Sequence, residues 1–444
     1  MKKILVMLLL CVFATSASAG QLISDKPLIE KLKEKGILTD DDVKDVEKNK
    51  SSNVEIGGRL HVQYRSEGKD TGPAAADAHA AQKTGFLVKR MTLEVKAQMT
   101  DMGYMLVEPE FAGTTGWNKI NDAFIAFLPM DGLNVYVGQK KVPFSAEELT
   151  SSKNLNFVEA GYASQIGVGR QMGAEVEYFG ADKLFAINAG VYNGFLDTSS
   201  VGYLQTKKQR LYTNSDISGN DNGGGNMLAA RLELHPFGYL AKGYENFSGD
   251  NKLAIGISYY SSDDKTATAV TSTSATTYPL NTAGTAATAT TATTKSMWVL
   301  GSNAAGFDLD WRVGGMDITA EYASRTLNYA SNATSGSRAS ATEDNVSQTA
   351  YQLGVSYLVT DNLAVAARYD SFDYGDDTKM SGGGTVGAKT DTATTLGFSY
   401  YFKKHNMKIQ ANYVMKDESY SAAALGTKEK ASNDVFVIQA GYSF

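Results

Sequence analysis

The carboxyl-terminal residues 432–444 place an apolar side chain at every second position, which predicts a β-strand with two different faces. One face carries Phe436, Ile438, Ala440, Tyr442 and Phe444, and the other carries Asn433, Val435, Val437, Gln439, Gly441 and Ser443. Such a strand fits a transmembrane barrel, where the apolar face contacts lipid and aromatic rings lie at the membrane interface. It also fits an ordinary antiparallel strand of a soluble sandwich, so this segment alone leaves both folds open.

Similar alternation continues through the chain from residue 54. In 90–100 and 316–325, for example, apolar residues alternate with charged and polar ones, which indicates strands with one dry and one wet face. The pattern predicts strands at 54–66, 85–100, 103–112, 118–129, 132–141, 167–179, 183–194, 226–236, 251–262, 297–313, 315–328, 346–360, 361–373, 391–403, 406–417 and 432–444. The sequence therefore predicts an all-β chain that forms a transmembrane antiparallel β-barrel of about 16 strands.

The predicted connections between these strands alternate in length. Tight turns fall near 101–103, 129–132, 180–182, 313–315, 360–362 and 404–406, and long polar connections fall near 67–84, 142–166, 195–225, 263–296, 329–345, 374–390 and 418–431. Short turns on one rim and long loops on the other are typical of bacterial outer-membrane barrels, and a soluble sandwich gives no reason for this asymmetry. The connection 237–250 is an exception, because it is long where a short turn is expected.

The long connection that contains residues 266–295 consists almost entirely of Thr, Ala and Ser. Such a composition buries too little apolar surface to order a segment, which predicts an exposed surface loop. A structural or adhesive barrel that uses its long loops as a binding surface is therefore one alternative for the function.

The amino-terminal residues differ from the barrel region. Lys2 and Lys3 precede an apolar run over 4–13, and Ala17-Ser18-Ala19 follows, which predicts a cleaved signal peptide over 1–19. Residues 20–53 are rich in Lys, Glu and Asp and predict a short, charged helical segment in the periplasm. That segment is either a solvated helical hairpin or a docking and trimer-stabilising element. The barrel is predicted over 54–444.

The residue content gives little support for an enzyme. The four His residues are widely spaced and form no metal-ligand pattern, and the single cysteine, Cys11, lies in the predicted signal peptide. The sequence contains no G-x-S-x-G motif, and its glycine-rich runs lie in predicted loops. We therefore expect no enzymatic activity, no cofactor, no metal site and no nucleic-acid partner.

Three segments carry a family resemblance. These are Lys89–Lys96, Asn121–Phe127 and above all Val137–Lys153, which reads VGQKKVPFSAEELTSSK. They resemble the phosphate-selective porin O and P family, most strongly over about residues 54–180. The resemblance implies a sixteen-stranded trimeric porin of the bacterial outer membrane, whose third extracellular loop folds into the lumen. On the strand assignment above, that loop is 142–166.

The resemblance makes residues near this loop the candidates for a constriction. They are Lys140, Lys141, Glu147, Glu148, Lys153 and Glu159. Assigning polar positions to the lumen by alternation adds the wall candidates Arg59, Arg90, Lys96, Arg231, Arg312, Arg325 and Arg368. The five wall arginines other than Arg231 either gather on one wall opposite acidic residues, or each wall cation pairs with a neighbouring acid and stiffens the barrel.

The charge balance bears on selectivity, since the charges that line a channel decide which ions pass. Alternation assigns thirteen cations and thirteen anions to the lumen, and the formal net charge of the chain is −6. The sequence therefore favours a water-filled channel for passive diffusion of small hydrophilic solutes and inorganic ions, with size limited by the loop 142–166. A phosphate-selective or anion-selective channel is the alternative. The expected partners are outer-membrane lipid, the permeating solutes and two further copies of the chain.

Overall fold

The computed structural model describes residue 39 and residues 53–68, 84–112, 119–194, 226–263, 270–274, 293–332, 342–375, 388–420 and 430–444. The chain divides into two units, 1–53 and 54–444. The predicted signal peptide and helical segment lie outside the described residues apart from Thr39 and Asn53, and both stay predictions. No helix among the described residues is long and apolar enough to cross a membrane.

The described part of the second unit is built from antiparallel strands. They are β1 (Asn53–Glu67), β2 (Gly85–Thr100), β3 (Gly103–Glu110), β4 (Lys119–Met130), β5 (Leu133–Lys141), β6 (Arg170–Phe179), β7 (Phe185–Asn193), β8 (Asn226–Leu234), β9 (Lys252–Asp263), β10 (Val270–Ser274), β11 (Thr293–Val313), β12 (Met316–Asn332), β13 (Thr342–Thr360), β14 (Leu363–Asp373), β15 (Ala388–Tyr401), β16 (Met407–Tyr420), β17 (Lys430–Ser432) and β18 (Val435–Ser443). The described helices are short: α1 (Ala146–Leu149) and the 3-10 helices Ser152–Asn154, Ala163–Ile166 and Ala181–Lys183.

The first and last strands close the barrel. β1 pairs antiparallel with β18 in a register that runs from Arg59 opposite Ser443 to Glu67 opposite Val435. β9 pairs directly with β11, and β16 pairs directly with β18. The short strands β10 and β17 therefore lengthen the hairpins of their neighbours without adding to the circumference. The result is a closed barrel of sixteen strands, which confirms the prediction from alternation.

The two faces of the strands differ as the alternation requires. Along β18, Gln439 and Ser443 are buried on the inner side, whereas Phe436, Ile438 and Tyr442 are exposed on the outer side. Exposed apolar side chains recur on the outside of the other strands. In a barrel this arrangement keeps the backbone hydrogen bonds between strands and turns the apolar side chains towards lipid.

The connections on one rim, called here the short-turn rim, are mostly two residues long, as predicted. They are 101–102, 131–132, 314–315 and 361–362. Gly314 and Gly315 both have positive φ, 56° and 82°, which is the backbone that a tight type I′ hairpin requires. The connection 235–251 between β8 and β9 is long on this same rim, so the exception noted in the sequence is real.

Several strand ends differ from the predicted ones by a few residues, and two of the differences concern long loops. β6 begins at Arg170 and not at residue 167, so the predicted loop 142–166 extends over 142–169. Its ends are joined by the hydrogen bond from Val142 N to the carbonyl oxygen of Gly169 (2.8 Å). Part of the Thr/Ala/Ser-rich segment also departs from the predicted loop, since β10 pairs with residues 293–297 of β11. The backbone hydrogen bonds of the hairpin place these residues in strands. Residues 275–292 lie outside the described part of the chain.

Candidate functional site

The long loop 142–169, called here the inner loop, lies inside the barrel. Its first helical turn, α1, begins after Ser145, whose hydroxyl accepts a hydrogen bond from Glu148 N (3.2 Å). A serine at this position satisfies a backbone donor that the helix itself leaves unpaired. The sequence S-A-E-E thus sets the local direction of the loop as it leaves β5.

Apolar side chains of the inner loop pack against the inner wall of the barrel. Phe144 meets the ring of Tyr260 on β9 edge to face, with a centroid distance of 5.2 Å. Phe157 lies over Gly354 of β13 and Gly397 of β15, where an added Cβ would come within 3.8 Å and 3.2 Å of its ring. Burying a phenylalanine side chain contributes about 1.5–3 kcal/mol. Small wall residues therefore give the loop aromatic rings a place to pack.

Hydrogen bonds from the opposite wall fix the backbone of the inner loop. On β16, Asn412 Oδ1 accepts from Val158 N (2.7 Å), and Gln410 Nε2 donates to the carbonyl oxygen of Asn156 (3.0 Å). On β12, the carboxylate of Glu321 accepts from the Ser145 hydroxyl (2.7 Å) and from the backbone N of Glu147 (2.6 Å). These contacts come from side chains 170 or more positions later in the sequence, and they hold the loop against β9–β16.

Glu147 is the main charged contact between the inner loop and this wall. Its carboxylate accepts hydrogen bonds from Gln352 Nε2 (2.6 Å) and Gly161 N (2.8 Å) and lies 3.3 Å from Arg368. Arg368 also pairs with Asp370 at 2.8 Å. Burial raises the pKa of Glu147, and Arg368 only partly opposes this effect. Glu147 thus anchors the loop, although the sequence suggested a role at the constriction.

Lys141, also predicted at the constriction, supports the end of α1. Its ammonium donates to the carbonyl oxygens of Glu148 (2.6 Å) and Thr150 (2.9 Å). These are carbonyls near the carboxyl end of the helix, where a positive charge is favourable. Lys141 therefore positions the loop as well as contributing charge.

Lys140 lies beside the open part of the lumen. Its ammonium is 2.6 Å from Glu175 Oε1 on the neighbouring strand β6 and 4.0 Å from the ring centroid of Tyr136. The aromatic face and the carboxylate together hold the cation at the wall. Lys140 is thus a paired charge at the edge of the candidate passage.

The remaining predicted constriction residues lie apart from one another. Glu148 borders the cavity described below, and Lys153 belongs to the 3-10 helix Ser152–Asn154. Glu159 lies 2.8 Å from Lys89 on β2 and has a side chain that is 41 % exposed. Burial opposes ionisation of Glu159, but Lys89 and other nearby cations outweigh it and lower its pKa. Glu159 therefore stays ionised at the β1–β2 side of the lumen.

A cavity of about 530 Å³ separates the inner loop from the strands β1–β8. Its lining includes seven cationic and eight anionic side chains: Arg59, Arg90, Lys140, Lys141, Arg170, Arg231, Lys242, Glu94, Glu108, Asp122, Glu147, Glu148, Glu175, Glu177 and Glu233. The inner loop packs on the far wall, and this cavity lies on the other side of the loop beside β1–β8. Three of the predicted wall candidates, Arg59, Arg90 and Arg231, border it.

Several of these cations form ion pairs with acids one or two strands away. Arg59 is 2.8 Å from Glu108, and Arg170 binds both carboxylate oxygens of Asp122, each at 2.8 Å. Arg231 is 2.5 Å from Asp308 and also pairs with Glu233. Pairing of wall cations with acids is one of the two arrangements that the sequence left open, and it describes these residues. The acids lie two strands away or on the same strand, and not on the adjacent strand that the sequence suggested.

The other predicted wall candidates lie away from this cavity lining. Lys96 is 3.4 Å from Glu55. Arg312, Arg325 and Arg368 lie on β11, β12 and β14, well separated from Arg59 on β1, so the structure does not gather the five arginines on one wall. Arg325 donates to Gln348 (3.1 Å through Nε), and Arg368 lies beneath the inner loop with its guanidinium 4.6 Å from the ring centroid of Phe157.

Two cavity cations, Arg170 and Lys242, were absent from the sequence-based candidates. Arg170 is the first residue of β6, and the early predicted start of this strand obscured its direction. The pairing register of β5 and β6, which places Arg170 opposite Lys141, could have identified Arg170 as a lumen residue. Lys242 lies in the connection 235–251, where alternation assigns no direction to a side chain.

Known proteins with similar sequence or structure were compared with this barrel. An uncharacterized protein of Aquifex aeolicus (strain VF5) is 21% identical over 266 residues, which are 53% of this chain and 61% of that protein. The chain thus spans less than two thirds of the length of this curated relative. The outer membrane channel DcaP of Acinetobacter baumannii has a TM-score of 0.53 at 14% identity and covers 89% of this chain and 98% of its own. Salmonella typhi OmpF in complex with daunomycin has a TM-score of 0.52 at 13% identity, with 89% and 99% covered.

At these identities, the solved structures show a shared barrel fold alone. The family model of phosphate-selective porin O and P matches residues 54–444, which include every described strand apart from the first residue of β1. The match and the closed sixteen-stranded barrel agree. The chain therefore belongs to the phosphate-selective porin O and P family and is a porin of the bacterial outer membrane.

Proposed function

We propose that this porin is a passive diffusion channel for small hydrophilic solutes and inorganic ions, in which the inner loop limits the size of what passes. The observation that carries the proposal is the cavity of about 530 Å³ between the inner loop and β1–β8, with charges of both signs in its lining. Sixteen-stranded barrels are wide enough to hold a water-filled passage. The inner loop reduces that passage to one side of the lumen.

The charge pairs favour weak ion preference. Seven cations face eight anions in the cavity lining, and pairs such as Arg170–Asp122 and Lys140–Glu175 bring opposite charges within 3 Å. A close pair presents a dipole to a passing ion and little net field. Because selectivity follows the net charge of the lining, neither cations nor anions are strongly excluded.

A phosphate-selective channel remains the alternative that the family raises. Such a channel needs cationic donors that outnumber nearby acids at the narrowest point. The nearly balanced lining supports the less selective channel. A structural or adhesive barrel has less support, since its predicted binding loop lies mostly outside the described residues.

The expected surroundings of the channel follow from its outer face and its family. Exposed apolar residues such as Leu228, Leu353 and Phe436 suit contact with outer-membrane lipid. The homotrimer is proposed from the family resemblance. Gel migration of unboiled protein as a band about three times the monomer mass would support it, and monomeric migration would oppose it.

Reconstitution in planar lipid bilayers tests the function. We expect stepwise single-channel conductance and a reversal potential near zero across a tenfold KCl gradient. A reversal potential close to the anion limit would support the phosphate or anion channel instead. Protein that inserts into the bilayer without conductance would support the structural or adhesive barrel instead.

Two matched substitutions sharpen this test, because they neutralise opposite members of one ion pair. Arg170→Gln leaves the carboxylate of Asp122 unpaired and should shift the reversal potential towards cations. Asp122→Asn leaves Arg170 unpaired and should shift it towards anions. Both side chains are 18 % exposed, so both lie within reach of permeating ions. Shifts in the same direction for both variants would contradict a passage along this wall.

A further inference from the structure

The connection 235–251 departs from the short turns on its rim in length and in burial. Tyr244, Glu245 and Asn246, near its middle, are 5%, 3% and 4% exposed. A connection of this length that extended away from the barrel would leave its middle in solvent. The burial shows that 235–251, called here the return segment, folds back into the lumen.

Side chains of the wall hold the return segment at its tip. Glu245 N donates to Asp317 Oδ2 on β12 (2.7 Å), and the hydroxyl of Tyr401 on β15 donates to the carboxylate of Glu245 (3.0 Å). Glu245 has a φ of 71°, a left-handed backbone that is unfavourable for a residue with a Cβ. The two hydrogen bonds offset this cost and fix the tip against the wall.

Aromatic rings and His405 hold the same tip from the other side. Phe247 lies edge to face against Tyr401 (5.0 Å) and His405 (5.3 Å). Burial, with a smaller contribution from Lys408, lowers the pKa of His405 to about 3, so the ring is neutral. Its Nε2 lies 2.6 Å from the carbonyl oxygen of Tyr244, which assigns the proton to Nε2 as donor. His405 therefore fixes the backbone of the return segment.

The return segment also meets the inner loop. Tyr244 N donates to the carbonyl oxygen of Asn154 (3.0 Å), and an added Cβ on Gly243 would lie 3.3 Å from Asn154 Cβ. The crevice between α1 and residues 240–244 has a volume of about 10 Å³. This is room for about one water molecule. A solute larger than water therefore does not fit in this crevice.

Lys242 points from the return segment towards the open cavity. Its ammonium contacts the carboxylate of Glu233, and its side chain is 34 % exposed. It borders the same cavity as Arg231 on β8. A cation is thus carried into the passage by a segment on a rim whose other described connections have two to five residues.

We propose that the return segment 235–251 is a second constriction element, which joins the inner loop at Asn154 and places Lys242 in the permeation path as a specificity-determining residue. This inference rests on the proposed function, since it assigns part of the same passage. It predicts that charge and bulk at position 242 change both the conductance and the ion preference. Removal of the segment should widen the passage.

Thiol labelling at position 242 tests the assignment. Cys11 is the sole cysteine of the sequence and lies in the predicted signal peptide, so Lys242→Cys introduces one thiol into the mature protein. Modification by a negatively charged and by a positively charged methanethiosulfonate should lower the conductance and shift the reversal potential in opposite directions. Asp361→Cys, in the turn 361–362 of the same rim, is the matched control, and its modification should change neither quantity.

A shortened variant gives a second measurement. Replacing residues 237–249 by Asn-Gly shortens the connection between β8 and β9 to six residues with a turn-forming pair at its centre, and it should raise the single-channel conductance. The inference would be overturned if this variant had unchanged conductance and if labelling at position 242 changed neither the conductance nor the reversal potential. A conducting wild-type protein would still support the proposed function in that case. If the shortened variant fails to fold, the labelling result alone decides.

The two proposals also fail in different ways. A silent wild-type protein beside a conducting shortened variant would support the second constriction and overturn the open diffusion channel. Silence of all variants, each with the heat-dependent gel migration of a folded barrel, would overturn both.

Discussion

Arg368 lies between two carboxylates, and its removal should release the inner loop far more than neutralisation of its partner on the loop. The guanidinium is 3.3 Å from Glu147 and 2.8 Å from Asp370, and all three side chains are at most 6 % exposed. Arg368→Met leaves both carboxylates buried without their cation. Glu147→Gln leaves Arg368 paired with Asp370 and keeps a side-chain oxygen that can accept from Gly161 N.

The magnitudes follow from these contacts. Removing one partner of a buried ion pair typically costs about 3–5 kcal/mol, which we expect for Arg368→Met. Burial already raises the pKa of Glu147, so the site tolerates a neutral group, and Glu147→Gln should cost about 1 kcal/mol, the value of one hydrogen bond. The difference of about 2 kcal/mol or more corresponds to a factor of about 30 in the population of released loop.

Limited proteolysis measures this population. Trypsin cleaves after Lys153, which lies in the inner loop, and the cleavage rate follows the released population when release and return are fast. Mass spectrometry of the fragments distinguishes this site from sites in other loops. We expect cleavage after Lys153 in Arg368→Met to be about 30 times faster than in Glu147→Gln, from the free-energy difference above.

Lys96→Met provides the control, because it breaks a solvent-accessible pair with Glu55 that joins the strands β2 and β1. Such pairs contribute about 0–1 kcal/mol, and the cleavage rate at Lys153 should match the wild type. Equal rates in Arg368→Met and Glu147→Gln, or a faster rate in Glu147→Gln, would refute the assignment of Arg368 as the cation shared by two buried carboxylates.

Two further predictions concern pH and the backbone of β5. Packing of the inner loop raises the pKa of Glu147, so the packed state binds a proton more readily than the released state. Protonation of Glu147 therefore stabilises packing at low pH, and this stabilisation is lost as pH rises through the raised pKa. The ratio of the wild-type cleavage rate at Lys153 to the rate in Glu147→Gln should fall on acidification, and a constant ratio would contradict this. Glu159, whose pKa is lowered, has the opposite pH dependence, but it is present in both proteins and its contribution cancels in the ratio. Gly138 has a φ of 133°, and an added Cβ would lie 2.3 Å from the carbonyl oxygen of Ala123, so Gly138→Val should abolish the heat-dependent gel migration of the folded barrel. Gly249→Ala, with a φ of 72° but open space around it, should cost only about 1–2 kcal/mol and keep that migration.

The barrel could be predicted from the sequence because its signal is local. The period of two in each strand indicates which side chains lie on which face, and Gly, Asp and Asn indicate where the turns lie. β18, for example, has the faces that residues 432–444 alone predict. The errors lie at strand ends such as Arg170, where a loop and a strand share similar residues.

The inner loop could be located in the sequence, but its contacts could not be predicted. Its anchors on β12, β14 and β16 lie far along the chain, and a single sequence does not show which distant residues are close in space. One signal was available in retrospect. Gly354 and Gly397 face inwards on predicted strands, and a missing side chain at an inward position indicates that another group, here Phe157, packs there.

The charge count illustrates why wall composition and channel selectivity are different questions. Alternation assigned equal numbers of cations and anions to the lumen, yet Arg368 lies beneath the inner loop and Arg312 donates to the return segment at the carbonyl of Gly243. Charged side chains that anchor these elements have little effect on a passing ion. In the proposed passage an ion meets the smaller set around the cavity, and that set is nearly balanced because its arginines pair with acids on nearby strands. Selectivity in this barrel should therefore change through the loss of one partner from a pair, and loop position should change through the loss of a buried anchor.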